Sequence, residues 1–153
     1  MKNLTTYKVI LLLVLTSCTS KTIVSDAPML NGTWTVERDI QKNVSSKKTG
    51  TFQYPNLGTE YKLKNGKFNG IFKIIMNNND TIFYCNYENN LPVGKYILQS
   101  LNDYPRHHRT IPRHPKLYYG IGKGNFNEDH KKEGFWDEDG QKVFYSNGEV
   151  ISK

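Results

Sequence analysis

The punctuation of this chain constrains its fold most. Five dipeptides, Asn31-Gly32, Asn65-Gly66, Asn69-Gly70, Asp139-Gly140 and Asn147-Gly148, separate short runs rich in Ile, Phe, Tyr and Val. Asn-Gly and Asp-Gly accept the positive φ angles that tight hairpin turns demand, so they mark reversals between neighbouring strands. Beyond the first thirty residues, no stretch carries apolar residues at i, i+3, i+4 and i+7 over three turns, which argues against long amphipathic helices. The expected fold is therefore all-β, an antiparallel meander of consecutive hairpins. The clearest hairpin runs over residues 68–76, turns through 77–80 and returns over 81–88. A second pairs Gly134-Phe135-Trp136 with residues 142–145 across Asp137-Glu138-Asp139-Gly140.

A shorter pattern recurs inside these runs: glycine, any residue, then an aromatic. The weightiest copies are Gly32-Thr33-Trp34, Gly70-Ile71-Phe72, Gly94-Lys95-Tyr96 and Gly134-Phe135-Trp136. Bare copies occur at Gly50-Thr51-Phe52, Gly66-Lys67-Phe68 and Gly124-Asn125-Phe126. Gly70 and Gly94 stand 24 residues apart and Gly94 and Gly134 40 apart, as if 16 residues were inserted in the second interval. A recurring interval marks stacked units, each too small to bury its own face. The glycine permits an unusual backbone conformation entering the strand, and the aromatic stacks on its equivalents in neighbouring units. Phe72, Tyr96 and Trp136 are expected to align: facing inward they form the core, facing outward a binding platform.

The run Lys64-Asn65-Gly66-Lys67-Phe68-Asn69-Gly70-Ile71-Phe72 resembles a MORN-type repeat. Gly134-Phe135-Trp136 followed by Phe144-Tyr145-Ser146-Asn147-Gly148 is similar to the variant found in bacterial repeat proteins of the YwqK antitoxin family. The resemblance covers residues 60–153 with a gap at the insertion, and it implies a sheet of repeated hairpins. The antitoxin role is not carried over, because Lys2, Lys8, the apolar run at 9–15 and Cys18 are expected to direct the chain to export, away from a cytoplasmic toxin. A rival reading starts from Leu30-Asn31-Gly32-Thr33-Trp34-Thr35-Val36, which resembles the opening of lipocalin-like lipoproteins. It implies a closed barrel enclosing an apolar ligand.

The first residues address the chain. Lys2 and Lys8 precede an apolar run at 9–15, and Leu15-Thr16-Ser17-Cys18 follows. A basic start, a run of roughly 7–15 apolar residues and small residues at the end describe a signal peptide. A membrane-spanning helix needs about 20. Leu15-Thr16-Ser17-Cys18 resembles the lipobox of bacterial lipoproteins, which implies cleavage before Cys18 and acylation of its sulfur. Thr19 stands where an Asp would imply inner-membrane retention in enteric bacteria, so the outer membrane is favoured. The organisation expected is thus a signal peptide helix over 1–17, a flexible tether over 18–29 and one β domain over 30–153. Removing the signal leaves 136 residues, 19 basic and 14 acidic, a net charge of +5. Acylation leaves Cys85 without a disulfide partner, and a buried inert thiol is expected there.

The candidate binding residues lie in the inserted stretch. Residues 103–116 carry Arg106, His107, His108, Arg109 and Arg113 among three prolines, a basic loop able to clamp an anion. No spacing matches an established metal set, no nucleophile elbow or phosphate-cradling loop occurs, and no cofactor is expected. Asp137-Glu138-Asp139-Gly140 lacks the further ligands of a calcium loop and reads as a charged turn. The basic residues follow no nucleic-acid-binding fold, so nucleic acid is not an expected partner. The role expected is non-enzymatic: a membrane-anchored envelope lipoprotein whose repeat surface meets a protein or a surface polymer. The alternative is a lipocalin-like carrier of a small apolar ligand.

Overall fold

The computed structural model describes residues 21–26, 29–30, 33–34, 36–75, 79–99 and 121–153. Twelve strands and one α-helix lie among them. Strands β1 (Thr22–Val24), β2 (Met29–Leu30) and β3 (Thr33–Trp34) precede α1 (Glu37–Ser45). Then come β4 (Gly50–Tyr54), β5 (Thr59–Lys64), β6 (Lys67–Ile75), β7 (Thr81–Glu88) and β8 (Leu91–Leu98). Strands β9 (Gly122–Phe126), β10 (Lys132–Glu138), β11 (Gln141–Ser146) and β12 (Glu149–Ser152) finish the chain.

Ten strands form one sheet in the order β1-β4-β5-β6-β7-β8-β9-β10-β11-β12, while β2 and β3 pair separately. From β4 onward every neighbour in space is the neighbour in sequence, the antiparallel meander that the turn spacing predicts. The turns supply the reason. Asn65-Gly66, Asn89-Asn90, Asp139-Gly140 and Asn147-Gly148 all hold positive φ at both residues. Each closes a two-residue hairpin, as Lys64↔Lys67, Glu88↔Leu91, Glu138↔Gln141 and Ser146↔Glu149 show.

Several expectations need correction. The sheet does not close: β1 and β12 are its two edges, so the lipocalin-like barrel is ruled out. The meander is not wholly antiparallel, because β1 runs parallel to β4 with Ile23 opposite Phe52. Residues 22–24, placed in the tether by composition, are thus a strand. Asn69-Gly70 is no hairpin turn; both residues lie inside β6, where the strand bulges. The turn of the last predicted hairpin is Asp139-Gly140, and Asp137 and Glu138 extend β10.

Helix α1 was not expected from the apolar pattern. Its nine residues span fewer than three turns, and Val36, Ile40 and Val44 recur only every fourth position. Val36, the N-cap, and Ile40 are buried in the core that includes Phe52, Tyr61 and Phe68, and Val44 packs against it half-buried. Two side-chain bonds fasten the helix to the sheet: Asn43 donates to the Tyr61 hydroxyl at 2.9 Å and the Tyr54 hydroxyl to Asp39 at 3.4 Å.

Candidate functional site

The site is best built from the repeat, because the repeat decides which side chains face water. In each of three hairpins the second strand carries two residues more than its partner, all at the glycine. On β6, Asn69, Gly70 and Ile71 lie across from the single Lys62. On β8, Gly94 and Lys95 are inserted between Val93 and Tyr96, whose partners Asn86 and Cys85 are adjacent. On β10, Gly134, Phe135 and Trp136 lie across from Gly124. Gly70, Gly94 and Gly134 hold φ of 109°, 67° and 72°, values that side chains with a Cβ rarely adopt. Such bulges re-aim the residues after them. Here the residue two places on, Phe72, Tyr96 or Trp136, turns inward.

The predicted alignment of these three aromatics is found, and they are core. Phe52, Tyr61, Phe72, Cys85, Tyr96 and Gly124 are cross-strand partners in one continuous inward row. Trp136 completes it on β10, its indole lying on Gly124, where an added Cβ would overlap the ring. Ring centroids 5.1–5.7 Å apart join Phe52 to Tyr61 and Tyr61 to Phe72, and Tyr96 to Trp136. Pairs at such distances add about 0.5–1.5 kcal/mol each beyond the area they bury. Gly32 and the side chain of Trp34 lie outside the described residues.

Burial settles the chemistry of the row's thiol. Cys85 is fully buried between Phe83 and Tyr87 on the inner face, and desolvation pushes its thiol up to about 12. At neutral pH it stays protonated and a poor nucleophile. Desolvation likewise raises Tyr54 and Tyr61 above the usual tyrosine range. His130 is a structural residue: its Nδ1 lies 2.9 Å from the Pro92 carbonyl and ties the β9–β10 turn to β8. No group of three metal-ligating side chains occurs among the described residues.

The opposite face carries the polar chemistry. Gln53, Glu60, Lys73, Tyr84, Ile97, Lys123, Asp137 and Lys142 form an outward row crossing eight strands, each opposite the next. Two ion pairs lie along it, Lys73–Glu60 at 3.4 Å and Lys123–Asp137 at 3.6 Å. Lys95 sits over the Tyr84 ring at 5.6 Å. At the β10–β11 end, Phe135 stacks edge-on against Phe144 with centroids 4.8 Å apart, yet is 73% exposed. A shallow open hollow of about 330 Å³ near the other end is lined by Gln53, Thr59, Glu60, Lys73 and Ile75. Gln53 donates to Glu60 at 2.8 Å there, so its polar groups already satisfy one another.

Cys18 and the basic loop residues Arg106, His107, His108, Arg109 and Arg113 lie outside the described residues. Sequence reasoning singled out neither Phe144 nor the Tyr84–Lys95 pair. The alternation along β7, β8 and β11 carries the signal, since each stands one residue out of phase with an inward aromatic. Among the described residues no helix is long and apolar enough to cross a membrane. No protein-family model, no curated protein and no solved structure matches this chain.

Proposed function

We propose that this chain is an exported lipoprotein, anchored through acylated Cys18, whose sheet binds an envelope protein or surface polymer without chemical turnover. The outward face receives the partner. One observation carries this reading: Phe135 stays 73% exposed and stacked on Phe144, on the face that the aromatic core does not use. A large apolar side chain held in water, with Asp137 two residues along the same strand and Lys142 paired with it, is typical of the anchor in a binding surface. The three bulged hairpins support reading residues 60–153 as a MORN-like repeat sheet, a scaffold that displays a face.

The test is site-specific photocrosslinking in the native envelope. A benzoylphenylalanine at Phe135 is expected to give one discrete adduct that Lys95→Glu weakens, while the same probe at Lys42 on α1 gives none. No adduct from Phe135, or the same adduct from both positions, would overturn the proposal.

A further inference from the structure

The sheet has two unlike ends, and the covalent path to Cys18 selects one of them. Because β1 runs parallel to β4 with Thr22 opposite Thr51, Lys21 lies at the end where β4 begins. The Thr51 N–H donates to the Lys21 carbonyl at 3.0 Å, fixing it there. Three residues span at most about 11 Å, so the covalent path from Lys21 to an anchor at position 18 is short. The same end holds the Asn65-Gly66 turn, flanked by Lys64 and Lys67, and the loop after α1, with Lys47 and Lys48. The Gly66 N–H donates to the Lys48 carbonyl at 2.8 Å, and Thr49 accepts from the Asn65 N–H at 2.9 Å, so loop and turn are one surface. Lys21, Lys47, Lys48, Lys64 and Lys67 are all exposed on it. The acids at this end, Glu88, Glu128, Asp129, Glu133 and Glu149, belong to the later turns of β7 to β12, where the exposed Lys131 also lies.

We propose that these five lysines dock the domain on an anionic phospholipid surface, with β1, β4, β5 and β6 lowest and the later turns tilted away. The inference rests on the acylation reading, and its occupant follows from charge and from the short covalent path. Each lysine near an anionic bilayer strengthens binding roughly fivefold, and salt screens the attraction over about a Debye length. Docking at this end leaves the outward face, including Phe135, standing clear of the membrane for a partner.

The test uses the chain from Thr19 to Lys153, which contains every described strand and the helix. It is sedimented with phosphatidylcholine vesicles, with and without phosphatidylglycerol. Expected is binding only with phosphatidylglycerol, weakening as salt rises. K48E/K64E, a change of four charge units, should lose at least 100-fold, whereas the charge-matched R38E/K153E, at exposed positions away from this end, should stay within threefold. Unchanged thermal unfolding of both variants excludes misfolding as the cause. Equal binding to pure phosphatidylcholine, no binding, or equal losses from the two variants would overturn the proposal. So would binding to soluble polyglutamate as tight as to vesicles, which would assign the lysines to a polyanion. Acylation is read separately, from the mass of full-length protein extracted from membranes. Its absence would remove the anchor while leaving the vesicle result standing.

Discussion

The two flanks of the sheet bury the same kind of aromatic row by different means. Over β4 and β5, helix α1 lays Val36, Ile40 and Val44 into a core containing Phe52 and Tyr61, and Asn43 satisfies the Tyr61 hydroxyl. Over β10 and β11, the sheet's own side chains do the work. Trp136 beds on Gly124, and Lys132 reaches across so that its ammonium lies 4.7 and 4.9 Å from the ring centroids of Trp136 and Tyr145. Its ammonium pairs with Glu138, which also accepts from the Tyr145 hydroxyl at 2.9 Å. The lesson is that a repeat built on one inward aromatic per hairpin does not prescribe its cover. A separate helix can supply it, or a long amphipathic side chain from the neighbouring position can.

The comparison can be broken most forcibly at Trp136. Trp136→Ala should cost about 3–5 kcal/mol, the usual loss for a fully buried aromatic, read by chemical denaturation. Ile40→Ala should cost about 2–4 kcal/mol by the same route. A much smaller loss would mean that α1 contributes little to its flank. Gly124→Ala should cost about 1–3 kcal/mol, because the new methyl meets the indole. Lys132 sharpens the contrast: Lys132→Met keeps the stem and should lose under about 1 kcal/mol, less than Lys132→Ala. Phe135→Ser should change stability by no more than about 0.5 kcal/mol, as expected of an exposed position, while impairing partner capture.

Alkaline titration probes the middle of the row. The Cys85 thiol ionises higher in the folded state than in the unfolded chain, whose value is 9.0. Its contribution to stability is therefore complete below about pH 9 and is lost as pH rises toward 12. Ellman's reagent at pH 8 should leave Cys85 unmodified until the protein unfolds. Rapid modification of the native protein would contradict its burial.

Much of the sheet was legible in the sequence, and the reasons are local. Asn65-Gly66, Asp139-Gly140 and Asn147-Gly148 encode their turns in two residues each, independent of the rest of the fold. Gly70, Gly94 and Gly134 share one backbone requirement, so their spacing exposes the repeat. Asn69-Gly70 misled because a bulge and a turn ask for the same left-handed glycine, and only the partner strand distinguishes them. Helix α1 was hidden because its stability comes from docking Val36, Ile40 and Val44 on the sheet rather than from its own pattern. The parallel pairing of β1 depends on a partner 29 positions away, Thr22 on Thr51, which no local signal records. The exposed Phe135 was visible only as the middle residue of Gly134-Phe135-Trp136. Its neighbour Phe144 joined it once the register of β10 and β11 was known.

The central claim is that the repeat's aromatics are core and the opposite face is free to bind. Hydroxyl-radical footprinting of the full-length protein tests it most directly. Phe135 should oxidise rapidly in the native state, while Phe72, Tyr96 and Trp136, at most 1% exposed, stay protected until unfolding. Oxidation of Tyr96 and Trp136 at rates comparable to Phe135 would contradict it.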